Sequence, residues 1–256
     1  MDRPKPRFGS MPTAFTAIRQ VVSQMKLRVD AAQRRWVLAR ALRWLASKEA
    51  GGRLSGTTLK RLTYGWGNES WSAGTAYLQA IARYVEMTDG AIVECGSGLS
   101  TLVAGTVAPR DRKLLALEHD QAWARRVESK VRHLQLTNVE VALCKIRSYG
   151  AFEWYGVETL ELPSPIGLVI CDGPPGRTRG GRFGAIPVLQ DQFAPGCVVL
   201  VDDMIRAAEQ QVTSTWCRDF GLQRIEDGGS YAAYTHPENR RAPTLESVLV
   251  RERDTE

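Results

Sequence analysis

The stretch Ala91-Ile-Val-Glu94-Cys-Gly96-Ser97-Gly98-Leu-Ser100-Thr101 decides the fold. A short apolar run ends in an acid, and two glycines then lead into residues that begin a helical pattern. Such a run suits a strand buried on both faces of a sheet. The glycines allow a tight turn and a close backbone approach to a ligand. The helix start behind them presents unpaired N–H groups. A dinucleotide fingerprint would place a third glycine at Thr101, so the loop taken alone also fits a plain strand–helix turn.

Outward from this loop, short apolar runs alternate with amphipathic stretches. Strands are expected over Ala91–Cys95, Leu114–Glu118, Val139–Leu143, Gly167–Cys171 and Cys197–Asp202. Helices are expected over Ser100–Val107, Gln121–Leu134, Ala185–Phe193 and Ile205–Phe220. The alternation predicts an α/β, Rossmann-like parallel sheet covered on both faces. Leu222–Glu226, Tyr231–Thr235 and Ser247–Arg251 read as an antiparallel edge that closes it.

Ahead of this body, residues 14–50 lack glycine and proline and carry apolar residues at Phe15, Ile18, Val22, Met25 and Val29. That is a helical arm, in one piece or broken near Asp30. We divide the chain into a basic arm (1–50), a linker with a lead-in helix from about Ala73 (51–90), and a ligand-binding domain (91–256). The arm could pack on the body, self-associate, or contact a membrane surface or RNA.

Charge follows the same division. The 256 residues carry 34 Lys/Arg against 28 Asp/Glu, a net of +6. Residues 1–48 hold eleven of the basic residues against Asp2 and Asp30, and so sum to +9, leaving −3 for the rest. The basic pI therefore belongs to the arm, and nucleic acid is not the expected partner of the body. The five cysteines form no C-x-x-C pair and mostly sit in apolar runs. Free buried thiols in a reducing cytoplasm are expected, and zinc is not. No apolar run reaches the length of a membrane span.

Ligands of open α/β sheets bind at the carboxyl ends of the strands, which here are acidic. The second strand ends at Glu118-His119-Asp120, and Glu118 lies 20 residues past Gly98, where a ribose-binding acid belongs. Asp120 suits the cap of the next helix. The fourth strand ends in Cys171-Asp172-Gly173-Pro174-Pro175-Gly176 and the fifth in Val201-Asp202-Asp203. Carboxylates gathered over one crevice repel, so a cation or a substrate hydroxyl is expected between them.

The set Glu94-Cys-Gly96-Ser97-Gly98, Glu118, Asp172 and Asp202-Asp203 resembles the class I S-adenosylmethionine (SAM) methyltransferases over about Ala91 to Arg251. The Asp-Gly-Pro-Pro-Gly turn with a later Val-Asp-Asp is similar to a branch containing glucuronoxylan O-methyltransferases. A further similarity is to Mg-dependent O-methyltransferases. The resemblance implies a seven-stranded, mostly parallel sheet with an N-terminal helical extension. It implies SAM as cofactor, with Gly96, Ser97 and Gly98 under its methionine part, Glu94 near its ammonium, Glu118 on the ribose and His119 beside the adenine. Asp172 would face the sulfonium and the acceptor. A divalent metal such as Mg would take Asp172 and Asp203 as ligands. Cys144-Lys145-Ile146-Arg147 departs from the small-residue-plus-acid pattern that often touches the adenine.

On this reading Asp172 and Asp203 are the catalytic candidates, either of which could take a hydroxyl proton. The acceptor is a small molecule or saccharide. Tyr155, in an aromatic-rich loop, and Arg177 and Arg182, in an Arg-Gly loop pictured as mobile, are its candidate contacts. A uronic acid would suit both loops. Trp66, Asn68 and Trp71 could form a lip over the cofactor. The competing functions are a nicotinamide-dependent oxidoreductase, an RNA methyltransferase, and a non-catalytic module of the same fold.

Overall fold

The computed structural model of the protein describes residues 14–47, 54–67 and 73–237, with side chains from Arg19 onward. Three helices come first: α1 (Ala14–Leu45), α2 (Gly56–Trp66) and α3 (Thr75–Met87). The body then runs β1 (Ala91–Cys95), α4 (Leu99–Val107), β2 (Leu114–Glu118), α5 (Gln121–His133) and β3 (Val139–Leu143). A small hairpin follows, β4 (Ile146–Ser148) with β5 (Glu153–Tyr155), and then β6 (Ile166–Cys171) and the short α6 (Ala185–Leu189). The chain ends, within the described residues, with β7 (Phe193–Val201), α7 (Ala207–Thr215), a five-residue π-turn (Trp216–Phe220), β8 (Gln223–Asp227) and β9 (Ala232–Thr235).

The sheet has seven strands in the order β3-β2-β1-β6-β7-β9-β8. The first five are mutually parallel, and β9 runs antiparallel between β7 and β8. Strand order reverses between β1 and β6, which opens a crevice above their carboxyl ends.

Period-two alternation builds the core. Ile92, Leu168, Ile170, Val198 and Leu200 face one way, into a cluster with α3, α4 and α5. Val93, Cys95, Val169, Cys171, Val199 and Val201 face the other way, into a cluster with α6, Trp154 and the π-turn. Both faces are covered over the central strands, so β6 and the end of β7 carry no polar stripe, whereas the edge strand β8 is largely exposed.

Three departures from the sequence reading have local causes. The segment read as a Gly/Thr/Ser linker forms α2. Ser55 caps it by accepting the Thr58 N–H at 3.2 Å, and Gly67 closes it at φ 73°. Leu59, Leu62 and Trp66 give it a buried face. The helix expected to Phe193 stops early because β7 captures Phe193 as the partner of Ile166. The aromatic loop contains the β4–β5 hairpin.

Helix α1 is continuous through Asp30, and its last turns join the body: Leu38, Ala41, Leu42 and Leu45 are buried in the same core cluster as α3 and α4. Val22, Met25 and Val29 remain exposed. No helix among the described residues is long and apolar enough to cross a membrane. The strand expected at Ser247–Arg251 lies outside the described residues, as do Asn68 and Trp71.

Candidate active site

The carboxyl ends of β1, β2, β6 and β7 bring the sequence-predicted acids to one rim. At β1, Glu94 is 1% exposed, and neither carboxylate oxygen has a hydrogen-bond partner. Burial pushes its carboxyl up to about 8, and the nearby Ser100 and Thr101 hydroxyls only moderate the rise. Gly96 turns with φ 96°, and its missing Cβ leaves room for the Gly173 backbone, whose nitrogen would lie 3.5 Å away. Thr101 accepts the Gly98 N–H at 2.8 Å, so the residue standing where a third glycine would be fixes the loop instead.

Glu118 is oriented by three donors. Its Oε1 accepts the backbone N–H of His119 (2.7 Å) and of Asp120 (2.9 Å), and Oε2 accepts the Ser97 hydroxyl (2.9 Å). His119 Nδ1 lies 3.0 Å from Oε1, with its ring partly exposed at the rim. Asp120 caps α5 through the Trp123 N–H at 2.7 Å, which leaves Glu118 free of that duty. The Trp123 indole donates to the Ser97 carbonyl at 2.7 Å. Trp66 packs edge-on against Trp123, with ring centroids 5.7 Å apart. Trp66 is therefore buttress rather than lip. Trp123, which sequence reasoning passed over as a helix residue, fixes the loop from behind.

At β6 and β7 the geometry changes the assignment of one residue. Arg182 is buried, with its side chain 4% exposed, between the carboxylates. Its Nη2 donates to Asp172 Oδ1 (3.0 Å), Asp203 Oδ2 (2.8 Å) and the Asp172 carbonyl (3.1 Å), and its Nη1 donates to the Asp202 carbonyl. Arg206 adds a second contact to Asp203 at 2.7 Å. Asp203 adopts φ 61°, a left-handed conformation uncommon outside glycine. Burial raises the Asp172 carboxyl to about 7, against the pull of Arg182, and the Asp202 carboxyl to about 6. About a third of the Asp172 side chain opens to the crevice, so water there moderates its rise.

The cation expected between the carboxylates is thus a guanidinium from the chain itself. Arg182 does not project to an acceptor. The loop around it is tied down: Thr178 accepts the Gly181 N–H, and the Trp216 indole donates to the Phe183 carbonyl at 2.9 Å. Tyr155 is 1% exposed, and a Cβ at Gly173 would lie 2.3 Å from its hydroxyl, so it supports the floor of the site from below. Arg177 is exposed on the loop.

A divalent metal does not fit these residues. Arg182 already bridges Asp172 Oδ1 and Asp203 Oδ2, the pair of oxygens that face each other across the two strand ends, and no group of three or more His, Cys, Asp or Glu among the described residues could hold one. Beside the cluster runs a groove of about 540 Å³, between the 176–183 loop and the α7/π-turn segment. Phe152, Phe183 and Phe220 line it together with Glu209, whose Oε2 is buried without a partner.

Comparison with solved structures supplies the fold's relatives. A protein from Corynebacterium glutamicum superposes with a TM-score of 0.54 at 12% identity, over 78% of this chain and 99% of its own. A SAM-dependent O-methyltransferase from Thermotoga maritima superposes with a TM-score of 0.51 at 14% identity, over 70% of this chain and 72% of its own. The fold is that of the class I methyltransferases. At these identities the likeness speaks to fold and leaves chemistry to the residues. No protein-family model and no curated protein matches the chain.

Proposed function

We propose that the protein is a SAM-dependent methyltransferase acting on the hydroxyl of a small molecule or saccharide. The observation that carries this reading is Glu94, a buried carboxyl with both oxygens unpartnered beside the glycine loop. A dinucleotide would bring its pyrophosphate to this helix start, and a buried acid there opposes an anion. The ammonium of an amino-acid moiety supplies the missing partner. Glu118, already oriented by two backbone N–H groups and the Ser97 hydroxyl, keeps lone pairs for ribose hydroxyls.

When bound, the cofactor supplies a methyl group already activated by sulfonium. The chain's own work is alignment and proton removal. Asp172 is the residue we assign to the acceptor proton: its Oδ1 is anchored by Arg182 and its side chain opens to the crevice. Asp203 anchors the same guanidinium, so we assign it a supporting role. The acceptor would reach from the crevice beside Asp172 into the adjoining groove lined by Phe152, Phe183 and Phe220, whose volume falls in the range of small-ligand sites. Recognition of a uronic acid rests on Arg177, since Arg182 and Tyr155 are committed elsewhere. The free buried thiols support a cytoplasmic setting. The end of α1 packs on the body, and the exposed apolar residues of its earlier turns support self-association, one of the readings of the arm.

The test is transfer of label from methyl-tritiated SAM to a panel of phenols, sugars and uronic acids. Label in a hydroxyl of one class, lost in Asp172→Asn, is expected. Labelling confined to RNA, or label in the panel undiminished by Asp172→Asn, would overturn the assignment.

A further inference from the structure

We infer that Arg182 is a resident cation that takes the place of a divalent metal between the carboxylates at the ends of β6 and β7, so that this site works without one. The inference concerns the carboxylate cluster and stands whether or not the cofactor is SAM.

Three observations converge. First, one guanidinium nitrogen reaches both strand ends, at 3.0 Å from Asp172 Oδ1 and 2.8 Å from Asp203 Oδ2. A planar fork can bridge two carboxylates while its other nitrogen binds the Asp202 carbonyl, a task a rotating ammonium does poorly. Second, the carboxylates are shaped around it. Asp203 holds a left-handed backbone, and its Oδ2 meets both Arg182 and Arg206. Third, a divalent ion would have to displace the guanidinium to reach those oxygens, which would strand a buried positive charge beside it.

Asp172, Asp202 and Asp203 together carry at most three negative charges, and Arg182 with Arg206 supplies two positive ones. A dication added to that set would leave an excess of positive charge. Arg182 is therefore a positioning residue. It binds Asp172 Oδ1 and leaves Oδ2 for the crevice.

Electron paramagnetic resonance of Mn²⁺, titrated into the metal-stripped full chain, tests this. Wild type is expected to hold no stoichiometric ion up to millimolar Mn²⁺. Arg182→Met, which removes the charge at similar bulk, is expected to gain one site at least ten-fold tighter than any wild-type binding. Arg182→Met/Asp203→Asn should lose that site. Arg182→Lys keeps a cation in place and should remain free of Mn²⁺. One equivalent bound by wild type and released in Asp203→Asn would overturn the inference. So would a folded Arg182→Met that gains no site. If Arg182→Met does not fold, the wild-type titration and the Arg182→Lys variant still decide.

Discussion

Replacing Glu94 with glutamine should flatten the pH dependence of stability while weakening the cofactor site. The Glu94 carboxyl ionises near 4.5 in an unfolded chain and at about 8 in the fold, where burial disfavours its charge. Between those values the folded protein keeps a proton that the unfolded chain has released. The stability this provides is therefore complete below about pH 4.5 and is lost as pH rises toward 8. At 1.36 kcal/mol per pH unit, the interval is worth about 5 kcal/mol, an upper figure because local relaxation softens it. Asp172 and Asp202 are raised as well, to about 7 and about 6, so wild type falls further than Glu94 alone dictates. Glutamine matches the shape of the acid and never ionises, so it removes only the Glu94 share. Urea unfolding of the ligand-free protein at pH 5 and pH 8.5 measures the difference. Part of the loss is already taken at pH 5, so the variant should lose up to about 4 kcal/mol less than wild type across that range. Its affinity for S-adenosylhomocysteine (SAH) should fall by roughly ten- to a hundred-fold, the worth of about 1.5–3 kcal/mol for a charged hydrogen bond. Identical pH slopes in the two proteins would mean that Glu94 is already ionised in the free protein, and the reasoning would fail.

Other substitutions probe the frame around the site. Glu118→Ala removes the acceptor of two backbone N–H groups and the Ser97 hydroxyl. It should abolish the thermal shift given by SAH, while circular dichroism shows the fold intact. Gly173→Ala drives a methyl to 2.3 Å from the Tyr155 hydroxyl and 3.2 Å from the Cys95 carbonyl. SAH binding measured by calorimetry should drop at least ten-fold, and adding Tyr155→Phe should recover part of it. Gly65→Ala places a Cβ 2.7 Å from the Leu38 nitrogen, where α1 crosses α2. We expect a loss of about 1–3 kcal/mol in denaturant unfolding, typical of overpacking. Glu226→Gln weakens a cluster in which one carboxylate accepts from Arg83, Tyr84 and Tyr231 at 2.6–2.7 Å. It should lower the melting temperature by a few degrees, consistent with about 1 kcal/mol.

The central parallel strands were legible because they are short, apolar and buried on both faces, as in Val198–Val201. Helix α2 was not, since Gly65 argues against a helix until the Leu38 backbone is seen against it. The β4–β5 hairpin depends on three-residue strands whose pairing is tertiary. Glu94, Glu118 and the aspartates could be read from their positions at strand ends, where topology leaves little choice of location. Tyr155 and Trp123 could not, because an aromatic residue near a site reads the same whether it faces ligand or core. Arg182 is the instructive case. Three acids at neighbouring strand ends demand a cation, and an arginine ten residues past Asp172 could supply it. Its glycine-rich surroundings suggested mobility instead, and only the Trp216 indole and the loop hydrogen bonds show otherwise.

On the proposed function, the crevice above β1, β2 and β6 binds the SAM skeleton. Isothermal titration calorimetry of the full chain with SAH, run beside NAD, tests it most directly. One SAH should bind per chain, with binding lost in Glu118→Ala and no heat from NAD. Saturable binding of NAD with none of SAH would contradict it.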